Sequence, residues 1–414
     1  MRKERITFRG AGGGALSARL SLPPDGRVAA YAVFAHCFTC SKDLKPVVNI
    51  SQALTQQRIG VLRFDFTGLG ESEGDFAETT FTSNVEDLVA AADFMAREFE
   101  GPSLLVGHSL GGAAALQAAA RIGSVRAVST IGAPFEPRHI QHLFPDALEE
   151  IEERGSADVV LAGRRFTVSR EFVRDLSAHR MKESIAGLGR PLLILHSPAD
   201  DTVGIENAAR IYKAARHPKS FISLDDADHL LLDARDSLYV GSLLGTWARR
   251  YTDRPGEPRS AGDPREDTRV TTRTAAGAFR TEILAGGHAI TADEPVAAGG
   301  ENLGPTPYDL LAAALGACTS MTLRMYAERK GWPLDEAVVR LRHSKIHAED
   351  EERCESGEAR MDRLERQIAL LGPLDHDQVA RLLEIADRCP VHRTLSAGVR
   401  ITTELAEGRP ARAP

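Results

Sequence analysis

Between residues 16 and 224 the chain alternates short apolar runs with longer stretches of helical character. Residues 16–22 switch between apolar and polar positions and stop at Pro23-Pro24, as a strand does. Residues 31–35, 59–66, 104–106, 127–131, 191–196 and 221–224 are apolar runs of strand length, the mark of strands buried on both faces. Ser83-Asn84-Val85-Glu86 has the spacing of a capping box and opens a helix with apolar Leu88, Ala91, Ala92 and Met95 on one side. Residues 113–120 are an alanine-rich helix. Strands separated by helices predict a doubly wound, mostly parallel α/β sheet covered on both faces.

Two interruptions divide the chain. Between Pro134 and Arg190 the pattern gives way to a charged, helical-looking insertion with scattered apolar residues, among them Phe135, Leu143, Phe144 and Phe172. It is either a lid (about 135–190) over a site at the C-terminal sheet edge or a packed surface subdomain, and that edge is where such folds vary. Residues 253–268 are rich in Pro, Gly, Arg and Asp and read as a linker. The style then changes, predicting one domain over 1–252 and a smaller α+β domain over 269–414. In the second, a hairpin-like stretch (270–290) precedes a nearly all-apolar helix (307–330), a basic strand (337–346) and a second helix (375–388).

With 414 residues, two domains are the expectation on length alone. A net charge of −7 offers no basic footprint for nucleic acid or an anionic membrane. No apolar run approaches the ~20 residues of a membrane span, and gly-rich polar sequence follows the basic N-terminus where a signal peptide would be apolar. Five cysteines do not make a disulfide framework, so a cytoplasmic protein with reduced thiols is expected. No cofactor or metal is expected.

Against this background one turn stands out. Gly107-His108-Ser109-Leu110-Gly111 lies between a strand and a helix, the context of a nucleophile elbow, in which a tight turn lifts a serine hydroxyl above the sheet. The N–H of Leu110 then faces the place where an oxyanion forms. Acyl transfer by Ser109 also needs a base, a carboxylate to orient it and a second oxyanion donor. Asp200 follows the 191–196 strand, with Asp201 as the alternative acid and the other member of the pair capping a helix. His229 follows the last strand, and Phe38 follows the 31–35 strand, where its N–H can join Leu110.

These residues carry a resemblance. Residues 1–250 resemble the α/β-hydrolase family, with His36-Cys37-Phe38, Asp65-x-x-Gly68-x-Gly70-Glu71-Ser72, Gly107-x-Ser109-x-Gly111, Asp200 and His229 in family order. That implies a carboxylesterase-type serine hydrolase acting on a small ester or other acyl substrate. Cys37 stands where the family usually has glycine, and with Cys40 it makes Cys-Phe-Thr-Cys. A redox pair or half a metal site competes with a shape-filling thiol beside the oxyanion loop, which is the default.

Residues 269–405 resemble the OsmC/Ohr family of thiol peroxidases, through Gly304-Pro305-Thr306-Pro307-Tyr308-Asp309-Leu310-Leu311, the helix bearing Ala317-Cys318, and Cys389-Pro390-Val391. The resemblance implies a homodimer formed through this domain and an organic hydroperoxide and a thiol reductant as reactants. It makes Cys318 the peroxidatic thiolate and Cys389 the resolving one. Where the family has an activating glutamate and arginine, this chain has Tyr308, with Asp309 beside it, and His288. These activate a thiol less than a fixed guanidinium does. Cys354, in a charged run, reads as a bystander. Three readings follow: a bifunctional esterase and (hydro)peroxidase, an esterase whose second domain only dimerises or binds, or a thiol enzyme on a hydrolase scaffold.

Overall fold

The computed structural model describes residues 2–24, 26–161, 163–252, 270–274, 279–286, 288–347 and 360–404; the predicted linker 253–268 and Cys354 lie outside the described residues. The chain forms two compact units, the first over 1–276 with 281–290, the second over 277–280 and from 291 onward.

The first unit is built on an eight-stranded sheet. Its strands are β1 (Arg2–Arg9), β2 (Ala15–Leu22), β3 (Ala30–Ala35), β4 (Ile59–Phe64), β5 (Leu104–His108) and β6 (Ala127–Ile131), followed, after the insertion described below, by β9 (Leu192–His196) and β10 (Lys219–Ser223). The spatial order is β1-β2-β4-β3-β5-β6-β9-β10. From β4 to β10 all neighbours are parallel, and the β1–β2 and β2–β4 pairs are antiparallel. The unpredicted β1 forms no apolar run, yet Phe8 is buried and stacks on Phe94 with ring centroids 5.2 Å apart.

The apolar runs divide between the two sheet faces as the pleat requires. Val33, Leu62, Leu105 and Val128 join one buried cluster, with Leu88 and Ala115. These come from α2 (Phe81–Glu98) and α3 (Leu110–Ala118). Ala32, Val61, Leu104 and Leu193 join the other, with Ile50 and Leu244 from α1 (Lys45–Gln56) and α8 (Ala234–Thr252). At ~25 cal/mol per Å² of apolar surface, covering both faces is the largest stabilising term in this unit. The cap of α2 differs from expectation: the box is Thr80 with Ser83, not Ser83 with Glu86. Ser83 N–H donates to Thr80 Oγ1 (3.0 Å) and Thr80 N–H to Ser83 Oγ (2.9 Å).

The insertion between β6 and β9 contains α4 (Leu148–Arg154), a hairpin of β7 (Ser156–Leu161) and β8 (Arg164–Ser169), α5 (Arg170–Ala178) and α6 (Met181–Ala186); α7 (Glu206–Ala214) follows β9. It is therefore not wholly helical, because the period-two burial of β7, with Ala157, Val159 and Leu161 inward, is that of a strand. Of the apolar residues singled out there, Phe135, Phe144 and Phe172 are buried in the main cluster and Leu143 keeps an exposed side chain.

Residues 270–292 form a three-stranded sheet of β11 (Val270–Thr274), β12 (Thr281–Ala285) and β13 (His288–Ala292). In the second unit, α9 (Pro307–Lys330) begins at a Thr306/Asp309 capping box and ends at Gly331, whose φ of 66° suits the left-handed cap. β14 (Glu336–His347) pairs antiparallel with β15 (Arg360–Leu371), an alternating strand that went unpredicted. Then come α10 (His376–Ala386) and a further helix, α11 (Pro390–Ala397). A small core of Leu323, Ala327, Leu334, Leu382, Ile385 and Ala386 joins α9 to α10. By length and composition α9 does reach what a membrane span requires, against expectation. A core helix passes the same test, and one stripe of α9 (Leu315, Gly316, Thr319, Leu323, Ala327) is packed inside the unit. The opposite side, with Met321 and Met325, is exposed.

Candidate active site

The turn after β5 shows why its residues are what they are. Ser109 has φ 53° and ψ −124°, a strained conformation for a residue with a side chain. A Cβ on Gly107 would stand 2.3 Å from the carbonyl oxygen of Gly111, and one on Gly111 2.4 Å from that of His36. The flanking glycines thus let α3 begin directly against β3 and β5, with the serine at the turn. Ser109 N–H is held by Ile131 O (2.8 Å).

His229, on the loop after β10, bridges two groups far apart in sequence. Its Nδ1–H donates to Asp200 Oδ2 (2.7 Å), which leaves Nε2 to accept from the Ser109 hydroxyl (3.0 Å). Asp200 and not Asp201 makes this contact. Asp200 Oδ1 accepts from the N–H groups of Val203 (2.7 Å) and Thr202 (2.9 Å). Burial alone would raise the Asp200 carboxyl pKa, but the His229 hydrogen bond and charge, with those N–H groups, hold it below its usual value. Asp201 accepts only from the Thr202 hydroxyl (3.2 Å) among the described residues.

Three buried histidines, to which the sequence assigned no role, surround this line. His108 Nε2–H donates to the carbonyl of His229 (2.8 Å), and His196 Nε2–H to that of Val203 (2.6 Å). His36 Nδ1–H donates to Cys37 O (2.8 Å). Burial, first of all, pushes all three below the usual histidine value, His108 to about 3. They act as neutral hydrogen-bond donors that fix the backbone around the site.

Phe38 lies on the loop after β3. Among the described residues neither its N–H nor that of Leu110 donates to a protein acceptor. Phe38 stacks on Phe172, centroids 5.5 Å apart, so the insertion braces this loop. Cys37 and Cys40 are joined as a disulfide, Cα atoms 5.3 Å apart, which replaces the expected shape-filling, reduced thiol. The loop is tied from below by a buried charge cluster. Asp65 accepts from Lys42 N–H (2.6 Å), Lys42 Nζ (2.7 Å) and Glu71 N–H (3.0 Å), and Lys42 Nζ also reaches Glu71 (2.8 Å). These contacts give the Asp65…Glu71 motif its physical reason, and a Cβ on Gly70, at φ 58°, would strike the Asp65 carboxylate. Lys42 was overlooked in the sequence because nothing near it forms a pattern.

Above Ser109 opens a cavity of about 510 Å³. Phe38, Ser109 and His229 share its wall with Leu143, Val160 and Arg164 from the insertion, which therefore overlies the site.

In the second unit Cys318 is half-buried on α9 and Cys389 fully buried at the N-cap of α11; both are free thiols. Cys389 Sγ accepts from His392 N–H (3.3 Å) and lies 3.6 Å from the hydroxyl of Thr319, the residue after Cys318. Arg366 Nη1–H donates to that same hydroxyl oxygen (2.9 Å), and no spacing in the sequence marks this guanidinium. Tyr308 instead stacks on His343, centroids 4.0 Å apart, and Asp309 caps α9; among the described residues no hydrogen bond links either to a cysteine. His288 is exposed on β13.

The fold order, with Ser109 after β5, Asp200 after β9 and His229 after β10, coincides with a match of residues 32–299 to the model of the "Alpha/beta hydrolase family". The chain belongs to the alpha/beta hydrolase family. Residues 299–404 of this alpha/beta hydrolase match the model "OsmC-like protein", so it carries an OsmC-like domain as well. The solved esterase domain of a Rhodothermus marinus protein is 50% identical, with a TM-score of 0.52, over 61% of this chain and 100% of that one. The mouse mitochondrial palmitoyl-protein thioesterase ABHD10 is 29% identical over 182 residues, 42% of this chain and 60% of that protein. The uncharacterized protein YfhR of Salmonella typhimurium is 26% identical over 206 residues, 48% of this chain and 61% of that protein. The hydrolase thus spans about 60% of the length of the curated relatives it matches.

Proposed function

We propose that the first unit is a serine esterase or thioesterase acting on a small acyl substrate. The observation that carries this reading is His229 held between Asp200 and Ser109. Ser109 Oγ attacks the acyl carbonyl carbon as His229 Nε2 takes its proton, while Asp200 keeps Nδ1–H in place and offsets the imidazolium charge. The carbonyl oxygen, now an oxyanion, accepts from the N–H groups of Phe38 and Leu110. His229 returns the proton to the leaving alcohol or thiol, and water repeats the sequence to free the acid. An esterase domain 50% identical to this one and a thioesterase among the relatives support the choice of bond. Nucleophile and base act as a unit, so Ser109→Ala or His229→Ala should each lower ester turnover on the order of 10⁴-fold or more. Asp200→Asn should cost less and Asp201→Asn little, measured with p-nitrophenyl esters. If Asp201→Asn is the more damaging carboxylate change, the acid is misassigned.

In our reading the OsmC-like domain is a thiol peroxidase, with Cys318 attacking the hydroperoxide and Cys389 resolving the sulfenic acid at the expense of a thiol reductant. It pairs with a second copy through residues 269–414. The contact of Thr319 with Cys389 supports the first part, since it sets Cys318 and Cys389 on adjoining elements. The engagement of Tyr308 and Asp309 elsewhere favours the competing view, an esterase whose second domain is a weak catalyst that dimerises.

A further inference from the structure

We propose that Arg164 makes this an enzyme for esters or thioesters that bear a second, anionic group such as a carboxylate; this deepens the esterase reading and rests on it. Arg164 opens β8 at the tip of the hairpin that overlies the cavity, and it lines that cavity together with Ser109. Its guanidinium donates to the carbonyl of Thr39, next to Phe38, and lies 5.0 Å from the Phe166 ring centre. One carbonyl leaves most of the five donors of the fork unused.

Three other arginines of the same insertion hold carboxylates: Arg138 pairs with Glu136, Arg154 with Glu150 and Arg174 with Glu152. Among the described residues Arg164 has no carboxylate within ion-pair reach, and no Asp or Glu lines the cavity. The triad carboxylate stands behind His229. A cation that no described protein acid neutralises, on the wall of the cavity that holds Ser109, raises the local concentration of anionic substrate and offers a bidentate fork to a carboxylate. Its field reaches the oxyanion loop: beyond burial, which dominates, Lys42 and Arg164 both push His36 down.

The test pairs an anionic ester with a neutral one built on the same chain or ring. Mono-p-nitrophenyl adipate against p-nitrophenyl hexanoate places the carboxylate on the acyl chain. 4-Carboxyphenyl hexanoate against phenyl hexanoate places it on the leaving group. The full-length wild type should prefer one anionic ester by about tenfold or more in kcat/KM, and added salt should erode the preference. Arg164→Gln should abolish the preference, read as the ratio of anionic to neutral kcat/KM, and Arg164→Lys should retain part of it. In Ser109→Ala protein, calorimetry should show monomethyl adipate (or methyl 4-hydroxybenzoate's free acid, if the leaving-group arm wins) binding more tightly than its neutral counterpart. The proposal fails if neither anionic ester is preferred, if the preference survives Arg164→Gln, or if neutral and anionic turnover fall together. Undiminished neutral-ester turnover by Ser109→Ala would instead overturn the esterase reading, and the calorimetric comparison would still judge Arg164.

Discussion

His108 immediately precedes Ser109 in the chain, yet its ring holds the carbonyl of His229, 121 residues later, at 2.8 Å. The turn that carries Ser109 thereby fixes the backbone of the histidine whose ring meets that serine. Because a carbonyl only accepts, His108 has to be neutral at Nδ1 or charged, and its burial selects the neutral form.

That choice sets a pH dependence. The His108 pKa falls from 6.5 unfolded to about 3 folded, and those of His36 and His196 are lowered as well. Between the two values the unfolded chain binds more protons, so stability rises with pH there. The contribution is fully present above about pH 6.5 and is lost as pH falls toward 3. For His108 it amounts to at most a few kcal/mol. Melting temperature should therefore drop steadily below pH 6.5, and His108→Gln should flatten that drop at the cost of a lower plateau. An acid limb unchanged by His108→Gln would show that other groups carry it.

The sheet and its order were legible because both faces are buried, and continuous apolar runs such as residues 104–106 and 191–196 say so directly. Ser109, Asp200, His229, Phe38 and Leu110 come together because that fold brings the ends of β3, β5, β9 and β10 to one edge. What escaped was anything set by pairing across the chain. β1 carries few apolar residues and is recognised only beside β2. Lys42, His196 and Arg366 have partners distant in sequence or set by loop conformation, and no spacing announces them. The disulfide of Cys37 with Cys40 was not legible, because composition argues for reduced thiols and only loop geometry brings the two together.

That disulfide spans Phe38 and Thr39, and Thr39 already sits at φ 62°. Closing the loop should limit the wandering of the Phe38 N–H, whose complete loss as an oxyanion donor would cost ~10²–10³ in kcat. Reduction should therefore lower ester kcat by less than that, with KM little changed, and the Cys37→Ser/Cys40→Ser double variant should be equally slow and indifferent to reductant. If mass spectrometry shows full reduction of the wild type while kcat holds, the disulfide does not position the donor.

The exposed side of α9 leads to another expectation. Met321 and Met325 are 65% and 66% exposed within a helix that is apolar over most of its length. Two such side chains are worth roughly 1.5–3 kcal/mol each when fully covered. The proposed homodimer through residues 269–414 would cover them. Light scattering should give a dimer for the full-length protein, and Met321→Glu with Met325→Lys should yield a folded monomer whose esterase activity is retained. A wild-type monomer at tens of micromolar, or a variant that stays dimeric, would place the interface elsewhere or remove it.

If the OsmC-like domain is the proposed peroxidase, its packing sets the order in which the two cysteines react. The Thr319 hydroxyl donates to Leu315 O (2.8 Å) and its oxygen receives Arg366 Nη1–H (2.9 Å), so the Cys389 S–H is the group left to donate along the 3.6 Å contact. Cys389 is buried and doubly engaged, whereas Cys318 is half-exposed. Peroxide should thus reach Cys318 first. Cys318→Ser should abolish hydroperoxide consumption, and Cys389→Ser should accumulate a sulfenic acid at Cys318 that a dimedone-type probe labels. In the wild type a disulfide should follow, which requires the two side chains to turn until their Cα atoms stand ~4.4–6.8 Å apart. Arg366→Met should loosen the Thr319 contact and speed alkylation of Cys389 without altering ester turnover. If peroxide leaves both thiols unmodified, they are packing groups and the esterase-only alternative stands.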